Sequence, residues 1–183
     1  MKIKIRYGRG EIAARVPDDV DVTVIGKPDM PILSDPRAAV HDALDGPVLT
    51  PPLKRLAETA STACIAICDI TRPVPNHLFL RPMIETLIEG GVASDAITVL
   101  VATGLHRPNQ GDELRELIGD PWVLENAEVA NHFARRDEDH VDLGRTSTRG
   151  TVVRLDRRFV ASDLRIVTGL VEPHFMAGYS GGR

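Results

Sequence analysis

Three short stretches of this sequence hold side chains that can move protons and grip anions. They are Asp69-Ile70-Thr71-Arg72-Pro73, Thr103-Gly104-Leu105-His106-Arg107-Pro108 and Glu172-Pro173-His174-Phe175-Met176-Ala177-Gly178-Tyr179-Ser180-Gly181-Gly182-Arg183. Two imidazoles facing each other across a pocket, His106 and His174, suit a reaction that moves a proton on or off either face of a substrate. An unperturbed imidazole titrates near ~6.5, so each ring can act as base or acid at cellular pH. Arg72 offers a planar fork for a carboxylate. Asp69 can accept an imidazole N–H, fixing the tautomer and strengthening the base, or it can contact a cationic cofactor. Ser180-Gly181-Gly182 can form an anion nest, because glycine lets backbone amides approach a ligand closely. Plainer readings stand beside these. Asp69 to Arg72 can be a turn plus a helix cap, His106 a surface residue, and His174 a ring packed on the Phe175-Met176 edge.

The placement of the three stretches weighs against those plainer readings, since each follows an apolar run. Thr62 to Cys68 and Ala96 to Ala102 read as buried strands, as does Asp163 to Thr168 with its apolar core Leu164 to Val167. Val101-Ala102-Thr103-Gly104-Leu105 is echoed by Val167-Thr168-Gly169-Leu170, and Thr-Gly after a strand makes a tight exit. Helices are predicted from Asp35-Pro36 to Leu44, over Leu53 to Thr59, over Pro82 to Glu89 before Gly90-Gly91, and from a cap at Asp112 to Ile118. Ala127 to Ala130 reads as a strand, and Val141 to Leu143 with Thr151 to Leu155 as a strand pair. Met1 to Arg6, Glu11 to Val16 and Val20 to Ile25 form a small antiparallel β section at the N-terminus. The alternation predicts an α/β fold with a mainly parallel sheet and helices on both faces, residues 1–183 forming a single domain. Ligands of such sheets sit beyond the carboxyl ends of the strands. If the three strands are neighbours, both imidazoles, the guanidinium and the carboxylate meet on one rim.

Composition narrows the function classes. The chain has 183 residues, 43% apolar and only 4% aromatic, with a net charge of -4. That charge, without a basic stripe, argues against nucleic acid. The sequence shows neither a signal-peptide layout nor an apolar run long enough for a membrane span, which predicts a cytoplasmic protein. Cys64 and Cys68 share one face of a strand, too far apart to bridge, and read as buried thiols. No cysteine or histidine set has zinc spacing. His41 on a helix, His77 in a turn and His140 in the charged stretch Arg135 to His140 read as surface residues. His132 reads as structural.

Taken together, the three motifs resemble those of the nickel-pincer lactate racemase family in order and spacing. The resemblance spans essentially the whole chain, which corresponds to that family's N-terminal domain, without its C-terminal domain. It implies a racemase or epimerase of small 2-hydroxyacids. It also implies a nickel ion held in a modified pyridinium mononucleotide, hydride transfer from the substrate Cα, and a histidine that takes the hydroxyl proton. His106 and His174 match the paired acid/base histidines, and Asp69, Ile70, Thr71 and Arg72 match the loop that contacts cofactor and substrate. The family's cofactor-attaching lysine and nickel-binding histidine lie beyond Arg183. The polypeptide as given is therefore expected neither to anchor the cofactor nor to turn over substrate, and it needs the rest of its parent. Two alternatives remain: a zinc hydrolase using His106, His132 and His174, and a non-catalytic module that binds a phosphorylated small molecule at Ser180-Gly181-Gly182.

Overall fold

The computed structural model describes residues 1–8, 10–26, 30–174 and 176–181. The chain divides into two compact units, residues 1–32 and 33–183. In the first, β1 (Lys2–Tyr7) and β2 (Gly10–Arg15) pair antiparallel, with Ile5 opposite Ile12. Val20 to Ile25, expected as a strand, has no regular structure. Strand formation needs a hydrogen-bonded neighbour, and β1 and β2 pair only with each other among the described residues.

The second unit runs α1 (Pro36–Asp45), α2 (Leu53–Ala57), β3 (Ala63–Cys68), α3 (Asn76–Glu89), β4 (Ile97–Ala102), α4 (Gly111–Ile118), α5 (Pro121–Asn126) and β5 (Glu128–Asn131). It continues through β6 (His140–Arg145), β7 (Val152–Asp156), α6 (Arg157–Ala161), β8 (Leu164–Val167), β9 (Glu172–His174) and β10 (Gly178–Ser180). Strands β5, β4, β3 and β8 form one parallel sheet in that order, and β6–β7 and β9–β10 are antiparallel pairs. The expected α/β fold, with a mainly parallel sheet flanked by helices and small antiparallel pairs, is the one observed.

The near-continuous apolar runs of β3 and β4 follow from burial on both faces, whereas β8, expected to be buried, alternates half-buried and exposed residues at the sheet edge. Ile65, Ile67, Val99 and Val101 pack with Leu80, Ile84 and Leu87 of α3 and with Ile118 and Val123, all essentially without solvent contact. On the opposite face, Phe159 of α6 lines a cavity together with Ala66 and Leu100. Burying one such aliphatic side chain contributes roughly 1.5–3 kcal/mol, so these rows carry most of the unit's stability. The start of β8 is stitched to the start of β3 by Asp163. Its Oδ2 accepts hydrogen bonds from Ser61 N (2.9 Å), Thr62 N (3.1 Å) and Thr62 Oγ1 (3.2 Å).

Several local expectations need correction. Helix α3 begins at Asn76 rather than near Pro82, which places His77 in a helix instead of a turn. A proline biases the preceding residue away from helix, but here the buried Leu80 and the Asn76 Nδ2 hydrogen bond to Leu117 O (2.9 Å) hold the earlier turns in place. Gln110, not Asp112, is the N-cap of α4, and Asp112 lies in its first turn. The short helices α5 and α6 carry too few apolar positions to show a period. The final stretch is not a bare loop: Gly178 pairs with His174 and Ser180 with Glu172.

Helix α4 ends on Gly119 at φ +72, a left-handed conformation that glycine adopts without penalty. An added Cβ there would stand 2.7 Å from the Cβ of His77. Close approach and backbone hand thus both require the missing side chain.

Candidate functional site

The strand order makes β3 the neighbour of both β4 and β8, so the exits that carry Asp69, His106 and Thr168 open onto one rim. The β3 exit is a turn closed by Arg72 N to Asp69 O at 3.1 Å. The β4 exit is a turn closed by His106 N to Thr103 O at 2.9 Å, with Gly104 at φ +57 supplying the positive dihedral. A cavity of about 350 Å³ lies between them, lined by Asp69, Thr71, Arg72, Thr103, His106 and Thr168 among others.

At its centre, His106 Nδ1 lies 2.5 Å from Asp69 Oδ2. The other oxygen, Oδ1, accepts from Thr71 N (3.0 Å) and Thr71 Oγ1 (2.5 Å). Asp69 is buried and His106 is exposed on the cavity side. Burial alone would raise the Asp69 pKa, but the hydrogen bonds from Thr71 and His106 outweigh it and hold the carboxyl below its usual value. An ionised carboxylate can only accept. The imidazole must therefore carry its proton on Nδ1 when neutral, which leaves the lone pair on Nε2.

The loops are locked by residues that the sequence did not single out. Asn109 is almost fully buried. Its Oδ1 accepts from Ile70 N (3.3 Å), its Nδ2 donates to Glu113 Oε2 (2.9 Å), and its backbone exchanges two hydrogen bonds with the side chain of Asn131. Glu113 also accepts from Nη1 and Nη2 of Arg107, at 2.5 and 2.6 Å, which turns that arginine away into an ion pair. The only advance signal was a polar residue directly after Pro108 and another at the end of a strand.

His132 belongs to a second imidazole–carboxylate pair. Its Nδ1 is 3.0 Å from Asp156 Oδ2, and Asp156 also binds Arg158 through Nε (2.9 Å) and Nη2 (2.7 Å). Burial opposes ionisation of Asp156, yet the Arg158 and His132 hydrogen bonds hold its pKa at about 2. The Thr103 hydroxyl donates to His132 O, so this pair braces the β4 exit from below. Burial pushes the Cys64 thiol up to about 11 and raises Cys68 as well, which keeps both sulfurs protonated and unreactive.

Of the predicted site residues, the structure gathers Asp69, Thr71, Arg72 and His106 around one cavity. Ile70 takes part through its backbone, tied to Asn109. His174 lies on β9, one strand repeat from Glu172, and alternation puts both side chains on the same face of that strand. Glu172 Oε1 is 3.6 Å from Arg72 Nε, which links β9 to the cavity wall. His174 Nδ1 accepts from Met176 N and Ala177 N, each at 3.2 Å. Two amide donors on Nδ1 require its lone pair, so the neutral ring carries its proton on Nε2, the tautomer opposite to that of His106. Phe175, Gly182 and Arg183 of the last motif lie outside the described residues. Among the described residues no three His, Cys, Asp or Glu side chains converge on a metal position. His106 and His132 turn to different carboxylates, which leaves the zinc-hydrolase alternative without a ligand set there.

The chain matches the model described as lactate racemase N-terminal domain over residues 7–183. It belongs to the lactate racemase N-terminal domain family. It is 36% identical over 145 residues to a lactate racemase of Lactiplantibacillus plantarum, covering 79% of this chain and 33% of that protein. To a lactate racemase of Thermoanaerobacterium thermosaccharolyticum it is 32% identical over 183 residues, covering 99% of this chain and 42% of the relative. The solved lactate racemase apoprotein from Thermoanaerobacterium thermosaccharolyticum superposes with a TM-score of 0.79 at 30% identity, over 100% of this chain and 42% of that one. A crystal structure of a Thermotoga maritima protein superposes with a TM-score of 0.61 at 19% identity, over 80% of this chain and 36% of that chain, a likeness of fold alone. As a member of the lactate racemase N-terminal domain family, the chain spans 33% and 42% of the lengths of these two curated relatives. No helix among the described residues is long and apolar enough to cross a membrane.

Proposed function

We propose that this chain supplies the acid/base half of a 2-hydroxyacid racemase or epimerase whose remaining residues lie in a longer parent protein. The observation that carries the reading is the His106–Asp69 pair at the mouth of the parallel sheet, with its 2.5 Å Nδ1–Oδ2 contact. Asp69 holds the Nδ1–H tautomer, so Nε2 of His106 is the base that takes the substrate's hydroxyl proton. Arg72 grips the substrate carboxylate and orients the α carbon. Its guanidinium is half exposed and its ion pair with Glu172 is a loose one at 3.6 Å, so a carboxylate can compete for it. His174 is the complementary acid in its doubly protonated form, which returns a proton from Nε2 to the oxygen of the mirror-image product; that form requires the Met176 and Ala177 amides to release Nδ1. In the reverse direction the two rings exchange roles, as a racemase requires.

The cofactor implied by the family is a nickel-pincer pyridinium mononucleotide. The donors present fit its organic part: a cavity of about 350 Å³ with Thr71 and Arg72 exposed on its wall. In the Asp69–Arg72 stretch, Asp69, the Ile70 N–H and both Thr71 donors already have partners within the protein, so Arg72 and the acceptor side of the Thr71 hydroxyl would meet the cofactor at this edge. When bound, such a cofactor supplies an acceptor for the Cα hydrogen. The cytoplasm is the proposed location.

The test uses the full-length parent isolated with its cofactor, incubated with separate D- and L-2-hydroxyacids and followed by chiral chromatography. Interconversion is expected, and His106→Ala should lower kcat by about 10²–10⁴-fold. A parent that interconverts no 2-hydroxyacid, or that is indifferent to the loss of His106, overturns the reading.

A further inference from the structure

His106 has a second side. The loop that follows β5 folds against the β4 exit and encloses a separate cavity of about 190 Å³, lined by Leu105, His106, Phe133, Ala134, Arg135 and Arg136. The imidazole is therefore a wall shared by two cavities, one holding Arg72 and the other Arg135 and Arg136. Leu105, Phe133 and Ala134 give the second one apolar sides. No carboxylate lines it among the described residues.

The charge left there is set apart by its place beside His106. Acidic residues outnumber Lys and Arg, 26 to 22, and the arginines around the rim are mostly neutralised. Arg107 binds Glu113, Arg154 binds Asp137, Arg158 binds Asp156 and Arg72 meets Glu172. Arg135 has no ion-pair partner among the described residues. Arg136 rests on the Phe133 ring, 3.9 Å from its centroid, instead of on an acid. Asp137, the nearest acid in sequence, is drawn off to Arg154 at 2.9 Å. Two guanidiniums are thus left beside the base with no internal anion to satisfy them.

We propose that the substrate of the parent protein is a 2-hydroxyacid with a second anionic group, held by Arg135 and Arg136 on the side of His106 away from Arg72. This rests on the racemase reading above. With the carboxylate on Arg72 and the hydroxyl at His106, the rest of the substrate extends past the imidazole over Leu105 and Phe133. Its far end meets the two guanidiniums, whose planar forks suit a carboxylate or a phosphate ester equally.

The experiment measures kcat/KM of the cofactor-loaded parent for lactate, a 2-hydroxy dicarboxylate and a phosphorylated 2-hydroxyacid. One of the dianions is expected to exceed lactate by about tenfold or more, and which one identifies the anionic group. The double variant Arg135→Ala/Arg136→Ala should bring that ratio towards one, while Arg135→Lys, which keeps the charge and loses the planar fork, should retain only part of it. Preference for lactate, or a ratio that the double variant does not move, overturns the proposal and leaves the racemase reading standing. Loss of cofactor absorbance in the double variant with the ratio preserved also overturns it, by assigning the guanidiniums to the cofactor's phosphate. Failure to interconvert any of the three compounds, or any other 2-hydroxyacid, removes the racemase reading and the proposal with it.

Discussion

Asn109 and Asn131 bind each other twice: the Asn109 amide donates to Asn131 Oδ1, and Asn131 Nδ2 donates to the Asn109 carbonyl, both at 2.9 Å. The pair joins the exits of β4 and β5, and the Asn109 side chain extends the tie to the β3 exit at Ile70. Three loops that carry the proposed chemistry are thereby held as one piece.

Asn109→Ala keeps the backbone half of this tie but strands the Ile70 N–H and frees Glu113. Leaving a buried donor unsatisfied costs about 1–3 kcal/mol. Urea unfolding should show a loss of that size, with an unchanged m-value if the native state stays compact.

Asp69→Asn preserves shape while removing the charge that fixes the His106 tautomer. In the parent, kcat should fall by at least about tenfold while KM moves little, since the carboxylate acts on the base and not on substrate binding. Thermal denaturation of the same variant separates this from unfolding: a stable but slow protein is the expected result.

The pH dependence of stability should report Asp156. Its folded pKa is about 2, against an ordinary value of 3.8. A depressed carboxylate stabilises the fold above its unfolded pKa, and that stability is lost as pH falls through the folded one. The difference corresponds to about 2 kcal/mol. Denaturant midpoints should drop between pH 4 and pH 2 in the native sequence, and less steeply over that window in Asp156→Asn.

Gly119→Ala should destabilise the fold by about 1–2 kcal/mol from the left-handed backbone alone. The 2.7 Å approach to the Cβ of His77 adds to that. A paired variant, His77→Gly/Gly119→Ala, should recover the steric part but not the backbone part, which a double-mutant cycle by thermal melts can resolve.

The positions of β3 and β4 are legible because buried parallel strands are written as nearly unbroken apolar runs, β8 is legible despite Arg165 within it, and the rule that ligands gather at the carboxyl ends of strands locates Asp69, Arg72 and His106. The hydrogen bond between Asp69 and His106 follows from residue type and strand-end position. The Asn109–Asn131 tie was not, because it exists only once β5 is placed beside β4, and no periodicity announces a buried amide. The structural role of His132 agrees with its reading from the sequence, yet its carboxylate partner Asp156, 24 residues away, is legible only once the β6–β7 pair is placed against the end of β5. The start of α3 at Asn76 is not legible in the sequence because Pro82 inside the helix outweighs the apolar positions before it.

The Asp163 stitch has a consequence for how this molecule comes into being. The partners it joins, Ser61 and Thr62, leave the ribosome 102 and 101 residues earlier, so β3 must wait with one edge unpaired while β4 and β5 assemble beside it. Non-local pairing of this kind is slow and leaves hydrogen-bonding groups open to strangers in the meantime. Nascent chains halted before residue 163 should therefore be the most dependent on chaperones.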